Sequence, residues 1–373
     1  MSSIRRFLGN SLLVLAALAI AFAIGEVVVR IAFKQQTVLF PRYHTDYHYG
    51  KYTLRGIRPN SDFWHTSVDG HWEFITNSRG FRNKRDFPYA KPEGTVRVLS
   101  LGDSHTQGYE VRQAFTFSSA LERYMAGRGL KAEVLNAGVS GFGNAEELAF
   151  LENEGWKYHP DAVVLGFYAN DYEDNLKAGL FALDAQGRLV EKKYEHIPGV
   201  KIQNAIYALP PVRWLSENSY FYSLFFNGAW EYFKGLAAKR AQQEAKGMAS
   251  LPDYAVPTHS GFEPHEVALA AALLERMQAF CKEKGIRLIV VDIPTRPAEA
   301  QFASSVPPEL RSRMKAAGIE FVAAESLLEP YAGVAEMHVP HGHQHISEFT
   351  HTLIGAELGR RLAPGAPVLA SSR

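Results

Sequence analysis

Two short stretches of this chain hold residues able to do chemistry together. LGDSHTQG (101–108) places Ser104 directly after an apolar, β-branched run and ahead of a stretch with helical spacing. A serine in such a strand-to-helix turn is exposed at the top of a sheet. There the first N–H groups of the helix and its positive dipole end favour a developing oxyanion. PHGHQHIS (340–347) puts His341, His343 and His345 at alternate positions near the other end. One of these imidazoles could take the serine proton. Alternation would also set all three on one face of an extended strand, with His338 close by, as a Zn, Ni or Cu site would need. No cysteine accompanies them, no H-E-x-x-H motif occurs and Gly342 marks a loop. The base reading is therefore preferred, and no metal or cofactor is expected.

Two further stretches add donors. In NAGVSGFGN (136–144), Gly141 lets a backbone N–H approach a ligand closely. In YANDYEDN (168–175), Asn170 offers its side-chain amide. With the Ser104 N–H these make a three-donor oxyanion hole, in which losing one donor typically costs ~3 kcal/mol of transition-state stabilisation. Singly, they are a turn glycine and a strand-end Asn. In order at three successive strand ends, they point to acyl transfer. Asp103 and Asp171 read as turn or pocket supports, and His105 as a pocket wall.

The elements that must position these residues alternate regularly. VRVLSLGD (96–103), AEVLNAGV (132–139), DAVVLGFY (161–168), IRLIVVDIP (286–294) and IEFVAA (319–324) read as strands. AFTFSSALERYMAGRG (114–129), NAEELAFLENEG (144–155) with Asn144 as N-cap, EPHEVALAAALLERMQAFCKEKG (263–285) and SEFTHTLIGAELGRRL (347–362) read as helices. This predicts an α/β fold, a five-stranded parallel sheet with helices on both faces and reactive groups at the carboxyl ends of the strands. Residues 180–262 break the rhythm as a helical, aromatic insertion. There Tyr220, Phe221, Phe225, Phe226, Trp230 and Phe233 cover most of one helix circumference. Packing on the main domain is expected; a lid, or a surface touching lipid or sugar, is the alternative. MASLPDYAVPTHSG (248–261) reads as a polar loop. Upstream, TSVDGHWEFIT reads as a hairpin turning at Asp69-Gly70, within a small β-rich segment.

Arg5 and Arg6 precede an uncharged run from Phe7 to Gly25, close to the ~20 residues a spanning helix needs. This predicts an N-terminal transmembrane anchor. Ala21-Phe22-Ala23 leaves a cleaved signal peptide as the rival. The leading positive charge favours a cytoplasmic N-terminus with the rest of a single-pass protein outside; the expected location is a bacterial inner membrane, with the catalytic domain on the periplasmic side. The expected division is anchor 1–33, β-rich segment 34–94, sheet domain 95–179 and 263–365 around the insertion 180–262, and tail 366–373. A net charge of +1 without a Lys/Arg run leaves no footprint for nucleic acid. The lone Cys281 excludes an intramolecular disulfide framework.

Over about residues 95–180 and 263–362 the chain resembles the SGNH (GDSL-type) hydrolases, esterases and acyltransferases with a flavodoxin-like sheet. Gly102-Asp103-Ser104 matches their first block, with Ser104 as nucleophile. Gly141 matches the glycine block and Asn170-Asp171 the G-x-N-D block, with Tyr168 where the glycine stands. Their last block reads D-x-x-H, then a polar residue and an apolar helix. Counted from His345, the polar residue is Ser347 and the apolar pair Leu353-Ile354. From His343 these positions hold His345 and His351, and from His341, His343 and Phe349. His345 is therefore the expected base, with His343 second or as a support. The Asp expected three residues before His345 is Gly342. A backbone carbonyl, Glu336, Glu348 or His343 could take its place, or Ser104 and His345 could work as a dyad.

The resemblance implies a serine esterase or O-acyltransferase working through an acyl-serine. It extends to membrane-anchored, polysaccharide-associated members with TNSRGFR-like stretches upstream. It thus implies O-acyl, above all O-acetyl, esters on exported or cell-surface glycan. A lysophospholipase or lipase, and a catalytically silent glycan-binding protein of an export system, are the alternatives. Expected partners are the acylated glycan or lipid and the membrane.

Overall fold

The structure, a computed structural model, describes residues 2–197, 199–244, 262–298, 301–342 and 344–363. The polar loop 248–261, the candidate support His343 and the tail 366–373 lie outside the described residues.

The uncharged N-terminal run continues as one helix, α1 (Ser2–Ala32). At about 1.5 Å per residue it rises about 46 Å, more than the ~30 Å hydrocarbon core of a bilayer. Large apolar side chains from Ile4 to Ile31 stay exposed on it. Among the described residues it is the one helix long and apolar enough to cross a membrane.

Two antiparallel pairs follow, β1 (His44–Tyr49) with β2 (Tyr52–Ile57), and β3 (Asp62–Thr66) with β4 (His71–Ile75). Period-two alternation turns Phe63, His65, Trp72 and Phe74 inward and leaves Trp64 and His71 outside. The chain then runs through β5 (Val96–Gly102), α2 (Ser104–Gln107), α3 (Phe117–Gly127), β6 (Ala132–Asn136), α4 (Asn144–Asn153), β7 (Ala162–Phe167) and α5 (Asp171–Ala178). The insertion holds β8 (Phe181–Leu183), β9 (Leu189–Glu191), β10 (Glu195–His196), α6 (Val200–Tyr207), α7 (Pro210–Asn218) and α8 (Tyr220–Glu244). The sheet domain resumes with α9 (Pro264–Lys284), β11 (Arg287–Asp292), α10 (Pro308–Ala317), β12 (Glu320–Val322), α11 (Ala324–Leu328) and α12 (Glu348–Leu362).

The central sheet has the order β6-β5-β7-β11-β12, with every pairing parallel. In chain order this is 2-1-3-4-5, the flavodoxin-like arrangement. Helices cover both faces. On one, Leu99, Leu101, Val163 and Val290 pack with Leu148 and Leu151 of α4 and Leu273 and Met277 of α9. On the other, Val98, Val134, Val164 and Val291 pack with Phe117 and Leu121 of α3 and Ile354 and Leu358 of α12. Each fully buried aliphatic side chain contributes about 1.5–3 kcal/mol, so the strand ends that carry the candidate residues stand on a rigid base.

The insertion opens with short strands ahead of its helices. Asp184 Oδ1 accepts the Gln186 and Arg188 N–H groups, closing the β8–β9 turn, and β10 then pairs parallel with β2. Alternating apolar residues around DAQG carried that signal. Asn144 is not the N-cap of α4. That position is Gly143, whose N–H donates to Glu146 Oε2 at 3.1 Å, while the Asn144 amide turns inward to Glu147 and Asp171.

Candidate active site

Strand β5 ends at Gly102, with φ +145°. A Cβ there would collide with the side chain of Thr106 and the Gly166 carbonyl, so only glycine lets the chain turn this tightly into α2. Asp103 then caps α2, its Oδ1 accepting the His105 N–H at 2.8 Å. Ser104 is the first helical residue. Its N–H belongs to the first turn, which has no intrahelical acceptor.

The loop before α12 brings His345 to this turn. The Val339 N–H donates to the His345 carbonyl, and the His345 N–H donates to the Gly342 carbonyl, both at 2.8 Å. His345 Nε2 lies 2.8 Å from Ser104 Oγ, and Nδ1 lies 2.7 Å from the Gly342 carbonyl oxygen. A carbonyl only accepts, so Nδ1 carries the proton and the Nε2 lone pair faces the serine hydroxyl. The backbone oxygen of the residue three before the histidine thus takes the bond that a carboxylate takes in a triad. The space an Asp side chain at 342 would need is filled: a Cβ there would overlap the carboxylate of Glu110, a residue held at φ +57°. Two rings flank the imidazole, His105 with a centroid separation of 4.8 Å and Tyr109 at 4.6 Å. His105 packs in turn on Tyr168, and its Nδ1 faces the Ile346 N–H. Burial pushes its pKa down to about 3, so it stays neutral.

The other histidines of the cluster diverge. His338 Nε2 faces the Pro294 carbonyl at 3.0 Å. His341 is exposed, and Asp69 at the β3–β4 turn grips both its N–H (2.9 Å) and its Nδ1 (2.7 Å). Among the described residues no group of three or more His, Cys, Asp or Glu side chains is placed to hold a metal ion.

Gly141 has φ +75°, a backbone conformation that disfavours any residue with a Cβ. Its carbonyl accepts from Arg55 Nη2 of β2 at 2.6 Å. The neighbouring Ser140 N–H donates to Gln107 Oε1 at 2.8 Å, tying this loop to α2. Asn170 stands at the end of β7, its Nδ2 donating to Asp174 Oδ2 at 3.0 Å. Beneath the site lie four buried carboxyls. Burial holds Asp103 above the ordinary carboxylate range and Glu147 and Asp171 well above it. Asp174 is pushed up to about 7, chiefly by burial and against the pull of Lys177. Asp171 Oδ2 accepts the Tyr168 N–H and the Asn144 amide. Asp103 thus caps α2, while the buried Asp171 ties the end of β7 to the start of α4.

Several contributors escaped the sequence reading. Arg82, the last residue of TNSRGFR, is buried and donates to the carbonyls of Gln107 (2.8 Å), Gly108 and Val111 (2.6 Å), fixing the exit from α2. The Gln107 amide donates to Tyr43 Oη. With Arg55 and Asp69, the 34–94 segment touches the nucleophile turn, the glycine loop and the histidine loop. Tyr109 was findable, five residues after the nucleophile. Arg55 and Glu110 carry no local signal.

A cavity of about 640 Å³ opens between the β3–β4 hairpin and α3. Trp64 and His71 stack on its wall, centroids 4.1 Å apart and planes within 5°. Lys84, Arg85, Arg112 and Arg123 line it too. Arg112 binds Glu348, three residues beyond His345.

No family model matches the chain, and no curated protein matches it. Among solved structures it is similar to a lipase/acylhydrolase from Enterococcus faecalis, at 16% identity and TM-score 0.41, over 71% of this chain and 94% of that one. It is similar to a mutant of an acetyl-xylooligosaccharide esterase from a Geobacillus species, at 12% identity and TM-score 0.38, over 71% of this chain and 93% of that one. A two-domain esterase active on acetylated mannans is similar at 11% identity and TM-score 0.38, over 71% of this chain and 48% of that one.

Proposed function

We propose that the protein is a membrane-anchored serine esterase or O-acyltransferase. The observation that carries this reading is the 2.8 Å contact between Ser104 Oγ and His345 Nε2, with Nδ1 held by the Gly342 carbonyl. Ser104 Oγ attacks an ester carbonyl while Nε2 takes its proton. The Ser104 and Gly141 N–H groups and the Asn170 amide receive the oxyanion. The imidazolium then protonates the departing alkoxide, leaving an acyl-serine. Water, or a sugar hydroxyl, attacks that ester with His345 again as base, which releases the acid or forms the new ester. The Gly342 carbonyl dipole supports the imidazolium in place of a carboxylate.

The proposed substrate is an O-acylated, first of all O-acetylated, glycan reached on the outer side of the bacterial inner membrane. The stacked Trp64–His71 pair and the arginine-lined cavity beside the histidine loop favour this, since sugar rings pack on aromatic faces. The exposed aromatics of α8 favour the second reading, a lysophospholipid or other lipid ester.

A fluorophosphonate probe should label the wild-type protein at Ser104 and leave Ser104→Ala unlabelled. Equal labelling of both removes the serine mechanism. Mass spectrometry of the acyl-enzyme after incubation with acetylated glycans and with lysophospholipids then separates the two substrates.

A further inference from the structure

The aromatic residues of α8 divide between two faces. Phe226 and Trp230 turn inward, where the Arg42 guanidinium lies 5.0 Å and 5.2 Å from their ring centroids. Arg42 also donates to Asn227 Oδ1 at 2.7 Å. Phe221, Phe225, Tyr232 and Leu236 fall within about 60° of one line along a helix that turns about 100° per residue. Phe225 is 72% exposed, Tyr232 64% and the adjacent Phe233 66%. A contiguous apolar stripe of this kind marks an interaction surface.

What covers it is indicated by where the stripe begins. The Phe221 ring packs edge-on against Phe22 of α1, centroids 5.3 Å apart, and lies against Gly25, where a Cβ would meet it at 2.8 Å. Glu26 of α1 caps the first turn of α8, accepting from Ser219 Oγ (2.7 Å), the Tyr220 N–H (3.1 Å) and the Phe221 N–H (3.0 Å). Arg30 closes the joint through Glu26 (2.6 Å) and the Asn218 carbonyl (2.8 Å). The start of α8 is thus pinned where the uncharged run of α1 ends. Val29 clusters with Tyr220, and Phe22 and Gly25 meet Phe221, so the first turn of α8 packs on the end of the uncharged run. The stripe starts at this joint, beside the end of the uncharged run of α1.

We propose that α8 is a second membrane contact, with Phe225, Tyr232 and Leu236 bedded at the boundary of lipid headgroups and acyl chains. A helix apolar on one side and anchored on the other lies in that layer, and aromatic rings favour it. The consequence is a fixed height for the candidate site. Arg42 joins α8 to the segment carrying Tyr43, and Tyr43 Oη meets Gln107 of the nucleophile helix at 3.3 Å. The inference rests on α1 being a membrane span and not on the ester chemistry.

The test uses the full-length chain with Cys281→Ala, one copy per nanodisc of phosphatidylcholine and phosphatidylglycerol. An environment-sensitive fluorophore is placed at Phe225→Cys, at Leu15→Cys in α1, or at Gln186→Cys on the exposed β8–β9 turn. The expected result is blue-shifted emission at 225, quenched severalfold more by shallow spin-labelled lipid than at 186 and less by aqueous iodide. Matching emission at 225 and 186, with the label at 15 quenched from the bilayer centre, overturns the proposal. A blue shift only when several copies share a disc also overturns it, in favour of a second chain on the stripe. An unquenched label at 15 overturns the anchor itself, a failure read separately.

Discussion

His345 has neighbours of three kinds: a hydroxyl, a backbone carbonyl and two flanking rings. The carbonyl orients the imidazole and sets its tautomer as an aspartate would, but supplies a dipole in place of a full charge. His345→Ala should lower ester turnover by ~10³-fold or more. His341→Ala, removing an exposed ring held only at its edge, should stay within about tenfold; steady-state kinetics on a soluble acetyl ester decides the order. Gly342 is fixed by space. Gly342→Ala should drive its methyl into the Glu110 carboxylate and destabilise by about 1–3 kcal/mol. Glu110→Gly removes the nearest clashing group and relieves a positive φ, while Val339 still crowds the methyl at 2.9 Å, so the double variant should recover part of the loss. Chemical denaturation of the four proteins measures the coupling, and additive losses would show that the two sites do not share that volume.

The β3–β4 hairpin is the element with most leverage on this geometry, because its turn residue Asp69 holds the histidine loop from outside. Asp69→Ala should slow fluorophosphonate labelling of Ser104 by about 3- to 10-fold while leaving the melting temperature nearly unchanged, since small misplacements cost rate before they cost stability. An unchanged labelling rate would reduce the hairpin to packing. Arg82 and Arg55 act similarly, one holding the exit of α2 and the other the Gly141 loop. These contacts also explain why the 34–94 segment is folded against the sheet domain: its polar side chains satisfy carbonyls that the site loops leave open.

For the molecule as a whole, the buried carboxyls beneath the site set a pH dependence of stability. The Asp174 pKa is raised in the folded state, so folding favours its protonated form. The cost is absent below the unfolded value near 4, grows as pH rises and is complete above about 7. Asp174→Asn removes the titrating group while keeping an acceptor for the Asn170 amide. Its melting temperature should exceed that of wild type at pH 8, and the gap should shrink through pH 7 and close near pH 4. A gap independent of pH would mean that Asp174 stays ionised throughout. Among the described residues, α1 meets the rest of the chain through the segment that follows it and through its joint with the start of α8 around Glu26.

The sequence by itself determined the sheet, because buried parallel strands alternating with helices leave a periodic trace that survives any detail of packing. It located the β3–β4 turn from Asp69-Gly70. It singled out Ser104, Gly141 and Asn170 from their places at strand ends, and His345 through the resemblance to the SGNH hydrolases, whose last block sets the register of the final helix. The structure alone decided what surrounds them. The Gly342 carbonyl, the rings of His105 and Tyr109, the Glu110 carboxylate in the place of a side chain at 342, and the guanidiniums of Arg55 and Arg82 converge from segments far apart in the chain. Side chains that meet only through folding obey no spacing rule, so their partnership is written in the packing of loops on the sheet. The two faces of α8 were decided the same way: its aromatics look alike in sequence, and only the positions of Arg42 and α1 separate those that pack inward from those left outside.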